Sequence, residues 1–274
     1  MNTLRLALTI IAALTGASAA AETVLVTGAN RGLGLEFTRQ YAAKGWTVIA
    51  TARDPAEAED LNALAAGNAK IRVERLDVTD AGQIAALAAK YRGTAIDVLL
   101  NNAGVFGDRP GQTFGSFDEA LLHDVISVNV YGPLKVSEGF AEHVAASGQK
   151  KIAVISSIVG SIGNVRGAPS APYYAISKAA VNMAMRGLSK TLAPRGIAVG
   201  IYHPGGVDTR MLREAMGMTR AAAEESLEQG AAFPGSFKPL TPEDSVAQLI
   251  VRIDGLTMDT SGNFVAYDGQ ALPW

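Results

Sequence analysis

The chain is 274 residues long, and its 24 Lys and Arg against 26 Asp and Glu give a formal net charge of −2. That balance excludes the basic excess with which a nucleic-acid binder neutralises phosphates. A hydrophobic fraction of 48% against 18% charged residues excludes a disordered chain, and the lack of any Cys excludes disulfides, thiolate metal sites and a Cys nucleophile.

In chain order, the first feature is a leader. Arg5 precedes an uncharged run from Leu6 to Ala21, whose apolar part, Leu6 to Leu14, gives way to Gly16-Ala17-Ser18-Ala19-Ala20-Ala21. A basic start, a short apolar core and an Ala-x-Ala ending form the pattern of an export signal, cut after Ala19 or Ala21. A membrane span would need about 20 apolar residues, so no stable span is expected. Residues 1–21 therefore read as a signal peptide that sends the protein to the periplasm. The competing reading is an extension retained on a cytoplasmic protein, since no twin Arg marks export in the folded state.

From Thr23 the chain alternates short β-branched runs with longer helical stretches. The expected strands are Val24–Val26, Thr47–Ala50, Ile71–Val73, Ile96–Leu100, Ile152–Ile155, Ile197–Ile201 and Phe264–Ala266. Helices are expected at Leu33–Ala43, Ala81–Tyr91, Phe117–Ala146 and Tyr174–Leu192. Apolar strands each followed by a helix imply an α/β fold: one doubly wound Rossmann-like domain over 22–274, with a seven-stranded, mainly parallel sheet flanked by helices. The segment at about 204–242 breaks this rhythm with Met211, Met216 and Met218. It reads as a substrate lid at the carboxyl edge of the sheet, its Met residues either lining an adaptable pocket or packing a surface helix onto the body.

Two motifs carry chemistry. Thr27-Gly28-Ala29-Asn30-Arg31-Gly32-Leu33-Gly34 follows the first strand and opens a helix. Its glycines permit a tight turn that brings backbone N–H groups to a phosphate at the positive end of the helix. Tyr174-Ala175-Ile176-Ser177-Lys178 places a phenol and an ammonium on one helix face, where a nearby cation favours phenolate. Tyr173 cannot replace Tyr174, because its i+4 partner is Ser177. Three scattered His residues (His123, His143, His203) show no metal-ligand spacing, so no metal site is expected.

Together with Asn101-Asn102-Ala103-Gly104 after strand four, Asn129, Ser156-Ser157 after strand five, and Pro204-Gly205 and Thr209 after strand six, these motifs resemble the short-chain dehydrogenase/reductase family in order and setting. The resemblance runs from Thr23 to Trp274. The ending from Gly262 to Gly269, closing on Leu272-Pro273-Trp274, is similar to the sniffer and C-factor-like carbonyl reductases.

The resemblance implies a tetrad of Asn129, Ser157, Tyr174 and Lys178. Tyr174 would protonate a carbonyl oxygen or act as base in reverse, Ser157 would hydrogen-bond that oxygen, Lys178 would lower the Tyr pKa and grip the nicotinamide ribose, and Asn129 would hold a proton-relaying water. The cofactor would lie along Gly28, Asn30, Arg31, Gly32, Leu33, Gly34, Arg53, Asp77, Val78, Asn102, Ala103, Gly104, Tyr174, Lys178, Pro204, Gly205, Val207 and Thr209. Ser157 lies 17 residues before Tyr174, whereas Ser161, at 13, matches the usual family count. Ser157 is preferred because it directly leaves the strand ending at Ile155. Strand two ends Ala50-Thr51-Ala52-Arg53, without the acid that holds an NAD ribose, and Arg53 and Arg31 suit a 2′-phosphate, so NADP(H) is expected over NAD(H).

The function implied is reduction of a small carbonyl compound (aldehyde, ketone or quinone) to an alcohol, or the reverse. The alternative is a dinucleotide-binding sensor with little turnover. An epimerase or dehydratase is disfavoured, as little sequence remains for a nucleotide-sugar domain. Homodimers are common in the family.

Overall fold

The computed structural model describes residues 21–167, 169–232 and 238–274. The expected signal peptide therefore lies outside the described residues except for Ala21, as do residues 233–237 of the expected lid.

Seven strands, β1 (Thr23–Val26), β2 (Thr47–Ala52), β3 (Ile71–Arg75), β4 (Val98–Asn101), β5 (Lys151–Ile155), β6 (Ala198–His203) and β7 (Phe264–Ala266), form one sheet in the order β3-β2-β1-β4-β5-β6-β7. Every neighbouring pair is parallel, so the sheet is wholly rather than mainly parallel. Helices α1 (Gly32–Ala43), α2 (Glu59–Ala66), α3 (Ala81–Lys90), α4 (Glu119–Ile126), α5 (Gly132–Ala145), α6 (Pro172–Leu192), α7 (Arg210–Ala215), α8 (Arg220–Glu228) and α9 (Pro242–Asp254) complete it.

Alternate strand residues feed two cores. Val24, Val26, Val48 and Ala50 pack with Phe37, Tyr41, Val246, Leu249 and Ile253 from α1 and α9. Leu25, Ile49, Leu99, Ile152 and Val199 face the other way, onto Ile84, Val136, Phe140, Val181 and Met185 of α3, α5 and α6. Strands buried on both faces explain the unbroken apolar runs.

The stretch expected as one helix over Phe117–Ala146 is two helices with a π-helical turn, Ser127–Tyr131, between them. Pro133 accounts for the break, since it has no N–H to give the carbonyl four residues back, that of Asn129. Helix α2 fills the place of the helix expected after the second strand, although its stretch is not one of those named above. It is short and buries only Leu61, so it leaves almost no hydrophobic period to read.

β1 is flanked by β2 on one side and β4 on the other, which makes β1/β4 the point where strand order reverses. In an open α/β sheet the ligand crevice lies beyond the carboxyl ends of the strands at such a point.

Candidate active site

The crevice is floored by the glycine loop. Gly28 (φ +65°) and Gly32 (φ +54°) adopt left-handed backbone conformations, which favour residues without a Cβ. A Cβ on Gly28 would lie 2.9 Å from Ala103 Cα, and one on Gly34 only 2.1 Å from the Gly28 carbonyl oxygen. The β4 loop is laced to this turn: Asn102 Nδ2 donates to the carbonyls of Thr27 and Gly28, and the amides of Asn102 and Ala103 donate to Thr27 Oγ1. Helix α1 begins without a side-chain cap, so its first-turn N–H groups face the crevice unclaimed by a capping side chain. Above Gly32 a Cβ would meet nothing nearer than Thr209 Cγ2 at 3.7 Å. Open space over Gly32 and an uncapped helix start fit a dinucleotide phosphate.

At the far end of this groove, Arg31 and Arg53 are exposed. Asp54, the acid that follows, accepts the amide of Ala56 in a local turn. Arg75, missed in the sequence, ends β3 opposite Ala52 and donates to the Arg53 carbonyl, bringing a third guanidinium to this corner. Asp77 closes a turn by accepting from the amide and hydroxyl of Thr79, while Asp80 caps α3 and Val78 packs inward beside Gly132. On the opposite side, Gly205 (φ +84°) fits tightly against Leu240 and Tyr267. The Pro204 carbonyl accepts from Ser245, Val207 bridges to Leu240, and Thr209 caps α7. The expected cofactor residues thus lie on the turns that follow β1, β2, β3, β4 and β6 and on α6, all at the carboxyl edge of the sheet, with Val78 turned into the core.

The four expected catalytic residues come from three places: the π-helical turn, the end of β5, and α6, which carries two of them. Asn129, on the π-helical turn, is buried; its Oδ1 accepts from Val105 N, and its Nδ2 donates to Val105 O and Ser177 Oγ, each at 2.9 Å. Ser157 leaves β5 and accepts, at 3.4 Å, from Val159 N. Tyr174 opens α6, and Lys178, one turn on, stands 5.5 Å from the Tyr174 ring centroid and donates to the Ile155 carbonyl at 3.0 Å. Ser161, the rival of Ser157, is buried and donates to the Pro273 carbonyl at 2.6 Å, which ties down the C-terminal tail. Ser156 is likewise committed elsewhere, to Asn182. Ser157→Ala is accordingly expected to lower turnover about a hundredfold, as loss of one oxyanion donor does. Ser161→Ala should stay within a fewfold of wild type; steady-state kinetics on the two variants showing the reverse order would exchange their roles.

Electrostatics here differ from the expectation of a lowered Tyr pKa. Burial pushes the Tyr174 phenol up to about 12, and a hydrogen bond from Ser157 draws it back only in part. Burial likewise pushes the Lys178 ammonium down to about 8. In this state desolvation outweighs the cation's pull, because Lys178 is itself reluctant to stay charged. His203 is held neutral, its pKa lowered by burial to about 4, which suits a structural residue beside Pro204.

Three neighbours of Tyr174 were not singled out for it in the sequence. Phe106 packs on its ring with centroids 5.1 Å apart, Met211 Sδ lies 3.9 Å from its hydroxyl, and Gln112 accepts its backbone N–H. Met211 belongs to the expected lid, so the described part of that segment does reach over the phenol. The segment is built as two helices around Arg213, a fully buried cation that composition alone would place on the surface. Among the described residues no group of acids and His could hold a metal, and no helix is long and apolar enough to cross a membrane.

Comparison with known proteins agrees with this geometry. A family model described as short chain dehydrogenase matches residues 22–220. A 1-hydroxy-2-glutathionyl-2-methyl-3-butene dehydrogenase from Rhodococcus sp. (strain AD45) is 34% identical over 256 residues, covering 92% of this chain and 99% of the relative. An NADPH-bound carbonyl reductase from chicken fatty liver superposes with a TM-score of 0.78 at 29% identity, over 93% of this chain and 99% of its own. The carbonyl reductase Sniffer of D. melanogaster gives a TM-score of 0.77 at 26% identity, over 93% and 100%.

Proposed function

The chain belongs to the short chain dehydrogenase family of oxidoreductases, and from that premise we propose that it is an NADP(H)-dependent reductase of small carbonyl compounds with Tyr174 as proton donor. The observation that carries this reading is the pairing of a phenol still protonated at neutral pH with the Ser157 hydroxyl beside it and Lys178 one turn behind. A carbonyl oxygen set between the two hydroxyls would gain a hydrogen bond from Ser157 as negative charge develops and take its proton from Tyr174. Lys178 holds positive charge near the phenol and stabilises the phenolate left behind. Asn129 keeps the floor rigid by clasping both backbone groups of Val105. The nicotinamide cofactor supplies the hydride. Gly28 to Gly34 would hold its phosphates, and Thr209 would close the nicotinamide side.

The test is reduction of a panel of aldehydes, ketones and quinones by purified protein with each cofactor. A glutathionyl alcohol joins the panel for the reverse direction, after the name of the Rhodococcus relative. Tight NADPH binding with no turnover of any compound would overturn the reductase and favour a sensor, which needs no Tyr174.

NADP(H) selectivity rests on the exposed Arg31 and Arg53 and on Asp54 being engaged by the amide of Ala56. An Arg31→Ala/Arg53→Ala double variant should lose tenfold or more in kcat/KM with NADPH, roughly one or two charge-assisted contacts, with NADH little changed. Equal efficiency with both cofactors in the wild type would refute the preference. Export of the protein, with removal of residues up to about Ala21, is proposed from the leader alone. Mass spectrometry of the N-terminus from fractionated cells checks it, and an intact Met1 or Asn2 start in the cytoplasmic fraction would refute it.

A further inference from the structure

Helix α6, which carries Tyr174 and Lys178, begins with Pro172 behind Ala171, a residue with no side chain to cap it. The first-turn amides of such a helix ordinarily lack a partner within the protein. Here the amide of Tyr174 has one, from a remote part of the chain: it donates to Gln112 Oε1 at 3.1 Å. Gln112 is wholly buried, and its Nε2 donates to the carbonyls of Phe106 at 3.0 Å and Asp108 at 3.1 Å. The carbonyl of Tyr174 is held as well, since Ser177 Oγ donates to it at 2.7 Å and itself accepts from Asn129 Nδ2. Asn129 in turn clasps Val105, the neighbour of Phe106.

These bonds close a ring: Val105 to Asn129, Ser177, Tyr174, Gln112 and back to Phe106. We infer that Gln112 is a positioning residue for the reaction, capping the catalytic helix from the 105–118 loop and setting Tyr174 and the Phe106 wall in register. The chemistry suits the residue type. Only an amide side chain offers an acceptor to Tyr174 N–H and two donors to carbonyls at once. Glu would set a buried anion against two carbonyl oxygens, and Gly107, at φ +81°, leaves space that a Cβ would take from Gln112 Nε2 at 2.9 Å. Gln112 touches no reacting atom. It acts by holding the phenol where a displacement of about 1 Å costs on the order of a hundredfold in rate.

This inference rests on Tyr174 being the proton donor proposed above, and its test separates the two. In the wild type, hydrogen exchange should find the Tyr174 amide protected about a hundredfold or more over an uncapped first-turn amide; exchange at the uncapped rate would overturn the cap whether or not the protein turns over any carbonyl. Gln112→Met keeps volume and removes all three bonds. It should abolish that protection and lower kcat ten- to hundredfold, with the cofactor Kd within twofold and KM changed far less than kcat. A Gln112→Met enzyme with wild-type kcat, or one whose loss lies in cofactor binding, would overturn the positioning role. Should Gln112→Met not fold, Ser177→Ala breaks the same ring at the Tyr174 carbonyl and is held to the same kcat-against-KM criterion.

Discussion

Tyr174→Phe is expected to lower carbonyl reduction by about 10²- to 10⁴-fold, the range general acid catalysis supplies, while the cofactor Kd stays within a fewfold. The phenylalanine keeps the contact with Phe106 and the volume under Met211, so the fold has no reason to change. The only chemical loss is the proton. The same residue sets a pH dependence. With its pKa raised to about 12 by burial, Tyr174 keeps its proton through neutral pH, so reduction should show no loss from phenol ionisation between pH 6 and 8. Alcohol oxidation needs the phenolate as base and should rise with pH. Turnover of Tyr174→Phe within twofold of wild type, or an oxidation rate falling from pH 7 to 9, would sink the assignment.

The parts of this site legible in the sequence are those written into contiguous residues. Gly28, Gly32 and Gly34 stand in one turn, and Tyr174 and Lys178 share one helix face, so spacing alone brings each set together. Ser157 could be chosen over Ser161 because a residue leaving a strand must lie at the sheet edge. The bond from Ser161 to the Pro273 carbonyl commits that hydroxyl to the C-terminal tail, which favours Ser157 over the residue that counting to Tyr174 selects. The cap by Gln112 was illegible, since 62 residues separate it from Tyr174 and no local pattern joins them. The π-helical turn hid behind a continuous helical period, although Pro133 was its visible cause. The raised Tyr174 pKa was missed because the i, i+4 rule places Lys178 beside the phenol but says nothing of how dry that place is.

Arg213 is the buried charge on which the segment over the site depends. It is 1% exposed, binds Asp208 through two bonds of 2.8 Å, and reaches Ser226 at 2.5 Å and the Ala231 carbonyl at 2.9 Å. One guanidinium thus joins the loop before Thr209 to α7, α8 and the turn after them. Removing one partner of a buried pair typically costs 3–5 kcal/mol. Asp208 retains 29% side-chain exposure and can rehydrate, so Arg213→Met should fall near the lower end, at about 3 kcal/mol. The bonds lie within 208–231, so the loss should appear as local opening, with faster hydrogen exchange there and new tryptic cleavage after Arg210, before any change in the sheet. Because Met211 and Thr209 ride on this segment, kcat/KM should fall tenfold or more. Asp208→Asn/Arg213→Met should be less damaged than the two single changes predict together, since the charge left behind by either one is then gone. Additive losses, or unchanged exchange over 208–231 in Arg213→Met, would show that the segment is held by its apolar packing and not by this cation.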